Sequence, residues 1–439
     1  MTDSRPEQLE FASCKGRRVV ADFEGGEVSS DGGLLLLREV DQRLDVTRRA
    51  AALLPDERQR GKVIHSLASM LRQRVFALAQ GYEDLNDHDA LRHDTLLQSA
   101  AASDSILASA PTLCRMENRA DRRCAMALNH LLVDLFIESH AEAPEEVILD
   151  FDATDDPVHG RQEGRFFHGY YDRYCFLPLY VFSGDQPLFA WLRPSNVDGA
   201  RGAWAVLRYL CKKLRAAWPK VNIVLRADSG FCRWRMLRWC EEHDVDYIVG
   251  LARNTRLATL SEELTEQAER QWLDSGEKQR EFDWIDYSAR TWDQTRRVIA
   301  KAEHGEQGSN PRYVITSLRG DARDLYERIY CARGDMENRI KEQQLGLFAD
   351  RTSCHRWWPN QLRLLLSTLA YVLMEGLRRL ALQGTEWARR QATTLRCSLL
   401  KIGAVVVRNT RRVIVHLSSA YPHRDVFAAA HARLRRASG

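Results

Sequence analysis

Apolar residues recur at three- and four-residue spacing through LLLLREVDQRL, GKVIHSLASMLRQRVFALAQG and DRRCAMALNHLLVDLFIESH, which predicts amphipathic helices from about residue 34 to 142. The stretch AEAPEE (141–146) interrupts this rhythm and marks a boundary. Beyond it the pattern turns to strands: VILDFDAT (147–154), FLPLYVFS (176–183) and LFAWLRP (188–194), the last two separated by the turn pair Gly184-Asp185. A helix through GAWAVLRYLCKKLRAAW is expected next, capped by Asp198 or a neighbour. It is followed by a strand VNIVLRAD (221–228), a helix through WRMLRWCEEH and a strand VDYIVGL (245–251). Residues 254–320 break in with a helical start and strand-like pieces around 281–317, and a helix from Ala322 to about Leu347 resumes the pattern. The tail LLKIGAVVVRNTRRVIVHLSS (399–419) reads as a basic β-hairpin turning near Asn409-Thr410.

Three strands, then helix, strand, helix, strand and a late helix is the order of a ribonuclease-H-like α/β core, a mixed sheet flanked by helices. The expected organisation is therefore a mostly helical N-terminal domain (1–145), a catalytic domain (146–253 and 321–380), a β-rich insertion (254–320) and a basic C-terminal region with the hairpin (381–439).

The strand ends carry the candidate chemistry. Cutting or joining phosphodiesters with metal needs carboxylates converging on one point, where two Mg²⁺ ions roughly 3.5–4 Å apart act together. Asp152 ends the first strand and Asp228 the fourth, and in this fold those strands are neighbours. On the late helix Leu325, Ile329, Ala332, Met336, Ile340 and Leu347 form an apolar stripe, and Tyr330, Arg333, Glu337, Lys341 and Gln344 a polar one. Glu337 is the candidate third acid; a solvated stripe with Glu337–Lys341 support is the plain alternative. Asp150 shares the strand face of Asp152 and competes with it, whereas Asp155 and Asp156 read as loop.

Composition narrows the setting. The chain has 439 residues, 44% of them hydrophobic, enough for two or three domains with ordinary cores. No apolar run approaches the roughly 18–20 residues that span a bilayer. MTDSRPEQLEFASCKGRR lacks an apolar signal region, and the ten cysteines form no C-x-x-C pair, so a cytoplasmic protein with reduced thiols and no zinc site is expected. The net charge of +4 hides an asymmetry: residues 351–439 hold 16 Lys and Arg against three acids, a local +13 over a remainder of −9. That points to a polyanionic partner for the C-terminal part, through Lys401, Arg408, Arg411 and Arg412, with a solvated basic face as the alternative.

LDFDATDDPVHG, VLRADSGF and YCARGDMENRIKEQQ together resemble the three active-site blocks of bacterial insertion-sequence transposases of the DDE class, most of all the group named "IS thirteen-eighty". The resemblance extends to SSDGGLLLLREVD, GYEDLNDHDALRHD, PTLCRMENRADR, WPNQLRLLLSTLAYVLM and LLKIGAVVV, nearly the whole chain. The Y-x₂-R-x₃-E-x₆-K signature of related groups maps onto Tyr330, Arg333 and Glu337, with Gln344 where lysine is usual and Lys341 one turn earlier. The resemblance implies Asp152 over Asp150 (a D-x-T pattern), a carboxylate triad Asp152, Asp228 and Glu337 binding Mg²⁺ with Mn²⁺ as a substitute, and nucleoid association. It also implies double-stranded DNA partners, the transposon terminal inverted repeats and a target, and a homodimer holding two ends. In relatives that cut through a DNA hairpin, an aromatic of the insertion stacks on a flipped base; Trp284 and Trp292 are candidates here, or else pack the insertion's own core.

PTLCRMENRADRR (111–123), after a short helical stretch DSILASA, suits either a helix-turn-helix reader presenting Arg115, Asn118, Arg119 and Arg122 or a plain solvated helix. Two rivals remain. LDFDAT also fits the nucleophile motif of haloacid-dehalogenase-like phosphatases, with Asp150 taking the phosphoryl group, and a non-catalytic DNA-binding descendant of a transposase would share most of these features.

Overall fold

In the computed structural model, which describes residues 8–436, the chain forms two compact units: residues 118–368, and residues up to 117 together with 369–439. These divisions differ from the expected domains. The N-terminal helical segment is split at Glu117, and the tail joins the N-terminal unit through pairing of Val28–Ser29 with Ala404–Arg408.

The larger unit is built on one mixed sheet. Its strands are β1 (Glu146–Ala153), β2 (Leu179–Ser183), β3 (Gln186–Trp191), β4 (Asn222–Ala227), β5 (Val245–Leu251), β6 (Gln279–Tyr287), β7 (Arg296–Gly305) and β8 (Arg312–Thr316). Across the sheet the order is β6-β7-β8-β5-β4-β1-β2-β3, with a two-residue strand Gly308–Ser309 folded back on β7. β1, β4 and β5 are parallel, and β2 runs antiparallel between β1 and β3. β1 and β4 read as near-continuous apolar runs because both of their faces are covered. One face packs on the helices Ala203–Ala217 and Trp234–Glu242, through Leu149, Phe151, Leu225, Leu207, Leu210 and Leu237. The other, with Val224, Ile248 and Val314, packs on Leu325 and Tyr326 of the late helix.

The expected separate insertion is instead a continuation of this sheet. After helices Thr255–Leu260 and Glu262–Ser275, the chain adds β6, β7 and β8 beyond β5. The physical reason is the edge that β5 would otherwise expose; β8 pairs with it from Ile248↔Thr316 to Leu251↔Tyr313. The opposite edge, β3, is closed by buried amides. Asn129 accepts the Ala190 N–H at 2.8 Å, and Gln361 accepts the Leu192 N–H at 2.6 Å.

Several local expectations need correction. The helix Ala203–Ala217 starts at Gly202, left-handed at φ 84° with no side-chain cap. Asp198 instead accepts from the Ala200 N–H and pairs with Arg233 at 2.5 Å. Residues 104–109 are not helical: the Ser103 hydroxyl donates to the Ser105 carbonyl and accepts its N–H, so the side chain competes with helical pairing. The helix-turn-helix reading thereby loses its first helix. Between β1 and β2 the chain also makes a small three-stranded sheet from Asp156–Pro157, Phe166–His168 and Arg173–Phe176.

In the other unit, helices Leu34–Leu44 and Leu67–Gln80 match the apolar periodicity. An exposed hairpin, Leu9–Cys14 with Arg17–Ala21, precedes them, and a helix Arg424–Arg436 follows the expected tail hairpin Ala404–Arg408/Val413–Leu417.

Candidate active site

β1 and β4 lie side by side in register, with Asp150 opposite Arg226 and Phe151 opposite Ala227, so Asp152 and Asp228 emerge together at their carboxyl ends. Asp228 stops its strand: its side chain accepts the Gly230 N–H at 2.8 Å and caps the short turn Ser229–Phe231. Glu337 approaches from the late helix, which is helical from Ala322 to Gly346 but not uniformly α. Leu325–Tyr330 is wound as π-helix, Cys331–Arg333 as 3₁₀, Gly334–Lys341 as α and Glu342–Gly346 again as π. Such wide turns change which residues share a face, and they gather at functional places.

The three acids share one electrostatic site. Burial lifts the Asp152 carboxyl to about 6; Arg333 opposes this, and the neighbouring Asp228 and Glu337 add to it. The Arg333 guanidinium lies between two of them, 2.5 Å from Glu337 and 3.9 Å from Asp152. Tyr330 stands against Arg333 and Asp228, its hydroxyl pushed up mainly by burial. Among the described residues no three acid, histidine or cysteine side chains converge closely enough to make a ready metal site, as expected where a guanidinium stands between carboxylates.

Asp150 is committed elsewhere. It is 2% exposed and takes two hydrogen bonds from Arg226, at 2.5 and 2.7 Å. Arg226 donates its remaining nitrogen to the Ile329 carbonyl at 2.6 Å, so the ion pair ties β1 and β4 to the residue before Tyr330. The phosphatase reading needs Asp150 as an accessible nucleophile, and that group is closed off. Asp156 is no simple loop residue either: it is 1% exposed, accepts from the Thr352 hydroxyl at 3.0 Å, and burial holds its carboxyl well above the ordinary range.

Gly250 on β5 was not anticipated as part of the site. A Cβ there would stand 2.6 Å from the Tyr330 hydroxyl and 2.8 Å from the Ser229 nitrogen. The signal was available, since a glycine inside a strand often marks close approach of another backbone. Gly250→Ala should displace Tyr330 and the Asp228 turn together and cost about 1–3 kcal/mol of stability by overpacking. Urea unfolding of parent and variant checks this; an unchanged midpoint would show that the crowding relaxes harmlessly.

The remaining candidates are scattered. Lys341 is exposed, whereas Gln344 donates to the Asp155 carbonyl at 2.9 Å and so fastens the loop after Asp152. Arg115, Asn118, Arg119 and Arg122 are exposed at the end of one helix, in the turn, and at the start of the next, with Arg115 donating to the Thr112 hydroxyl. In the tail Lys401 is bound to Asp31 at 2.6 Å and lies over the Tyr82 ring, and Arg408 donates to Gln98 at 3.2 Å. Arg411 and Arg412 are exposed at the hairpin turn. Trp284 has the Arg297 guanidinium 3.7 Å from its ring centre, and Trp292 packs edge-on against Tyr287 beside the main core. Both rings thus already have partners within the fold.

A mixed sheet with acids at two adjacent parallel strand ends, and a third acid beside them from a helix, defines a carboxylate-centred site. The family model for the transposase DDE domain, group 1, matches residues 11–439, and the chain belongs to that family of transposases. No curated protein matches the sequence. A solved structure similar to it is the cryo-EM piggyBac transposase synaptic complex with hairpin DNA, at 12% identity and a TM-score of 0.41, covering 93% of this chain and 82% of that one. Among the described residues no helix is long and apolar enough to cross a membrane.

Proposed function

We propose that this transposase cuts DNA at the terminal inverted repeats of its element and joins the released 3′-OH ends to target DNA, by hydrolysis followed by transesterification. The observation that carries the reading is the shared site of Asp152, Asp228 and Glu337, in which each of the other two acids raises the Asp152 carboxyl. The strand order β3-β2-β1-β4-β5 supports a ribonuclease-H-like core beneath it. The donor set is three hard carboxylate oxygens, which suits Mg²⁺, with Mn²⁺ as a substitute. Asp152, Asp228 and Glu337 would hold the metal, whose chemistry there is to activate the attacking oxygen and stabilise the leaving one.

The chain's own groups then have separable parts. Arg333, fixed between two acids, is placed to exchange a carboxylate for a DNA phosphate once positive charge arrives beside it. Tyr330 holds that guanidinium in line, and Arg226 holds the helix that presents both. Two DNA ends held together imply a homodimer. Cleavage of a terminal-repeat duplex with Mg²⁺ tests the reading; binding of the duplex without cleavage would leave a non-catalytic DNA-binding protein.

The late helix carries a finer expectation. Gln344 is occupied by the Asp155 carbonyl, and Lys341 is exposed one turn nearer Glu337. Lys341→Ala should therefore slow single-turnover cleavage about tenfold at saturating DNA, by loss of one charged phosphate contact. Gln344→Ala should act through the Asp155 loop, lowering stability more than DNA affinity. Normal cutting by Lys341→Ala beside a Gln344→Ala variant that folds normally but loses DNA would reverse the assignment.

In the tail, Arg411→Ala with Arg412→Ala should flatten the slope of log K against log[salt] by about two, because two fewer counterions are released. Lys401→Ala should leave that slope unchanged, since its ammonium is already neutralised by Asp31. Equal slopes for all three chains would place the hairpin turn away from DNA.

A further inference from the structure

The small three-stranded sheet between β1 and β2 begins at Asp156, four residues past Asp152. Its base is fixed firmly on one face. Asp156 lies opposite Phe176, so the two side chains share that face. Asp156 takes the Thr352 hydroxyl at 3.0 Å, and Phe176 meets the Trp357 ring edge-on with centres 5.4 Å apart. The Glu163 N–H donates to the His355 carbonyl at 2.8 Å, and its carboxylate accepts the Trp357 N–H at 3.1 Å.

Farther out the same face is open. Tyr174 stands two residues before Phe176 and opposite Phe167, so alternation puts both rings on it. They meet edge to face at 5.6 Å, and the Arg165 guanidinium lies 4.6 Å from the centre of the Tyr174 ring. Phe167 is 53% and Tyr174 48% exposed, and Tyr170 in the connecting turn is 85% exposed. Arg161, Arg165 and Arg173 outnumber the acids Glu163 and Asp172, and Glu163 is turned inward to Trp357. The turn also reaches back to the carboxylate site: burial pushes the Tyr171 hydroxyl up, and Asp155 and Asp152 add to it.

A partner of purely apolar character would meet a guanidinium and phenol hydroxyls within its contact. A nucleobase instead stacks on aromatic faces, and its phosphate takes the arginine. We propose that Phe167, Tyr170 and Tyr174, with Arg165 beside them, form a stacking platform for unpaired bases of the DNA strand next to the cut. This rests on the DNA-cutting reading above, since a strand lying at Asp152 runs past the neighbouring sheet.

Fluorescence anisotropy of the full-length protein tests it with two labelled terminal-repeat duplexes, one fully paired and one with a short mismatched bubble at the cut site. The bubble spares the cost of unpairing, so the parent should bind it about tenfold more tightly. Phe167→Leu and Tyr174→Leu keep an apolar side chain but lose the π-face, and each should lower that preference about fivefold or more. Tyr170→Leu, at the most exposed ring, decides the matter if the strand variants do not fold. Equal affinity of the parent for both duplexes, or a preference that survives all three substitutions, overturns the platform. Variants that keep the preference but sediment as a smaller species assign this face to a second copy and overturn it too. A parent that cuts the paired duplex without preferring the bubble loses the platform alone and leaves the carboxylate site standing. One that prefers the bubble through these rings but never cuts keeps the platform and loses the cutting reading.

Discussion

Asp152→Asn, Asp228→Asn and Glu337→Gln are each expected to abolish Mg²⁺-dependent cleavage of a terminal-repeat duplex while leaving its binding intact. Full activity in any one of them would remove that residue from the proposed metal site. The Asp152 variant carries a second expectation that separates a functional site from a structural one. Its carboxyl is displaced from 3.8 to about 6, chiefly by burial. The folded state therefore holds the Asp152 proton more tightly than the unfolded state does. The contribution of this group to stability is most favourable below pH 4 and is lost as pH rises from about 4 through 6. At pH 7 the charged side chain costs up to about 3 kcal/mol in the metal-free protein. Asp152→Asn should accordingly be dead in cleavage yet melt higher than the parent at pH 7, with the gap closing near pH 4. A variant that melts lower at pH 7 would mean that Arg333 compensates the charge in full.

Asp150→Asn should show the reverse pattern: chemistry spared at the ligands, but the fold weakened. It removes the counter-charge from a pair in which Asp150 is 2% and Arg226 7% exposed, leaving the guanidinium with one amide oxygen and the Ile329 carbonyl as acceptors. Breaking a buried pair on one side costs about 3–5 kcal/mol. Urea unfolding of parent and variant, followed by near-ultraviolet circular dichroism, measures it. The double variant Asp150→Leu with Arg226→Met should recover much of that stability, because an apolar pair of similar volume avoids desolvation. It should still cut slowly, since the tie to Ile329 is gone. An Asp150→Asn variant as stable as the parent but inactive would make Asp150 a ligand after all.

Much of this molecule was legible from its sequence because its signals are local. The runs VILDFDAT and VNIVLRAD are the strands that carry Asp152 and Asp228, and the periodicity at 322–347 is a helix. The basic tail hairpin lies where the alternation in AVVVRNTRRVIVHL puts it. What escaped depends on pairing between distant segments. The placement of residues 279–316 in the main sheet depends on an edge that β5 exposes only after folding. The hairpin Leu9–Ala21 is exposed on both strands, so no alternation of burial betrays it. Arg226 could have been found: an arginine inside a buried strand requires a partner, and Asp150 is the acid in register with it. The Asp156 side chain gave no such sign, because its partner Thr352 lies 196 residues away.

The π-wound segment Leu325–Tyr330 holds one residue more than an α-helix would need to cover the same contacts. Winding the same residues as regular α-helix, with Leu325 and Tyr326 kept in the core, would turn everything beyond by about 100° about the axis, the angular step of one residue. Glu337 would then face away from Asp152, with its helix, sheet and neighbours otherwise intact. The extra residue thus aims the acid, and a chain shortened by that one residue could run as plain α-helix through the segment and still present Glu337 to Asp152.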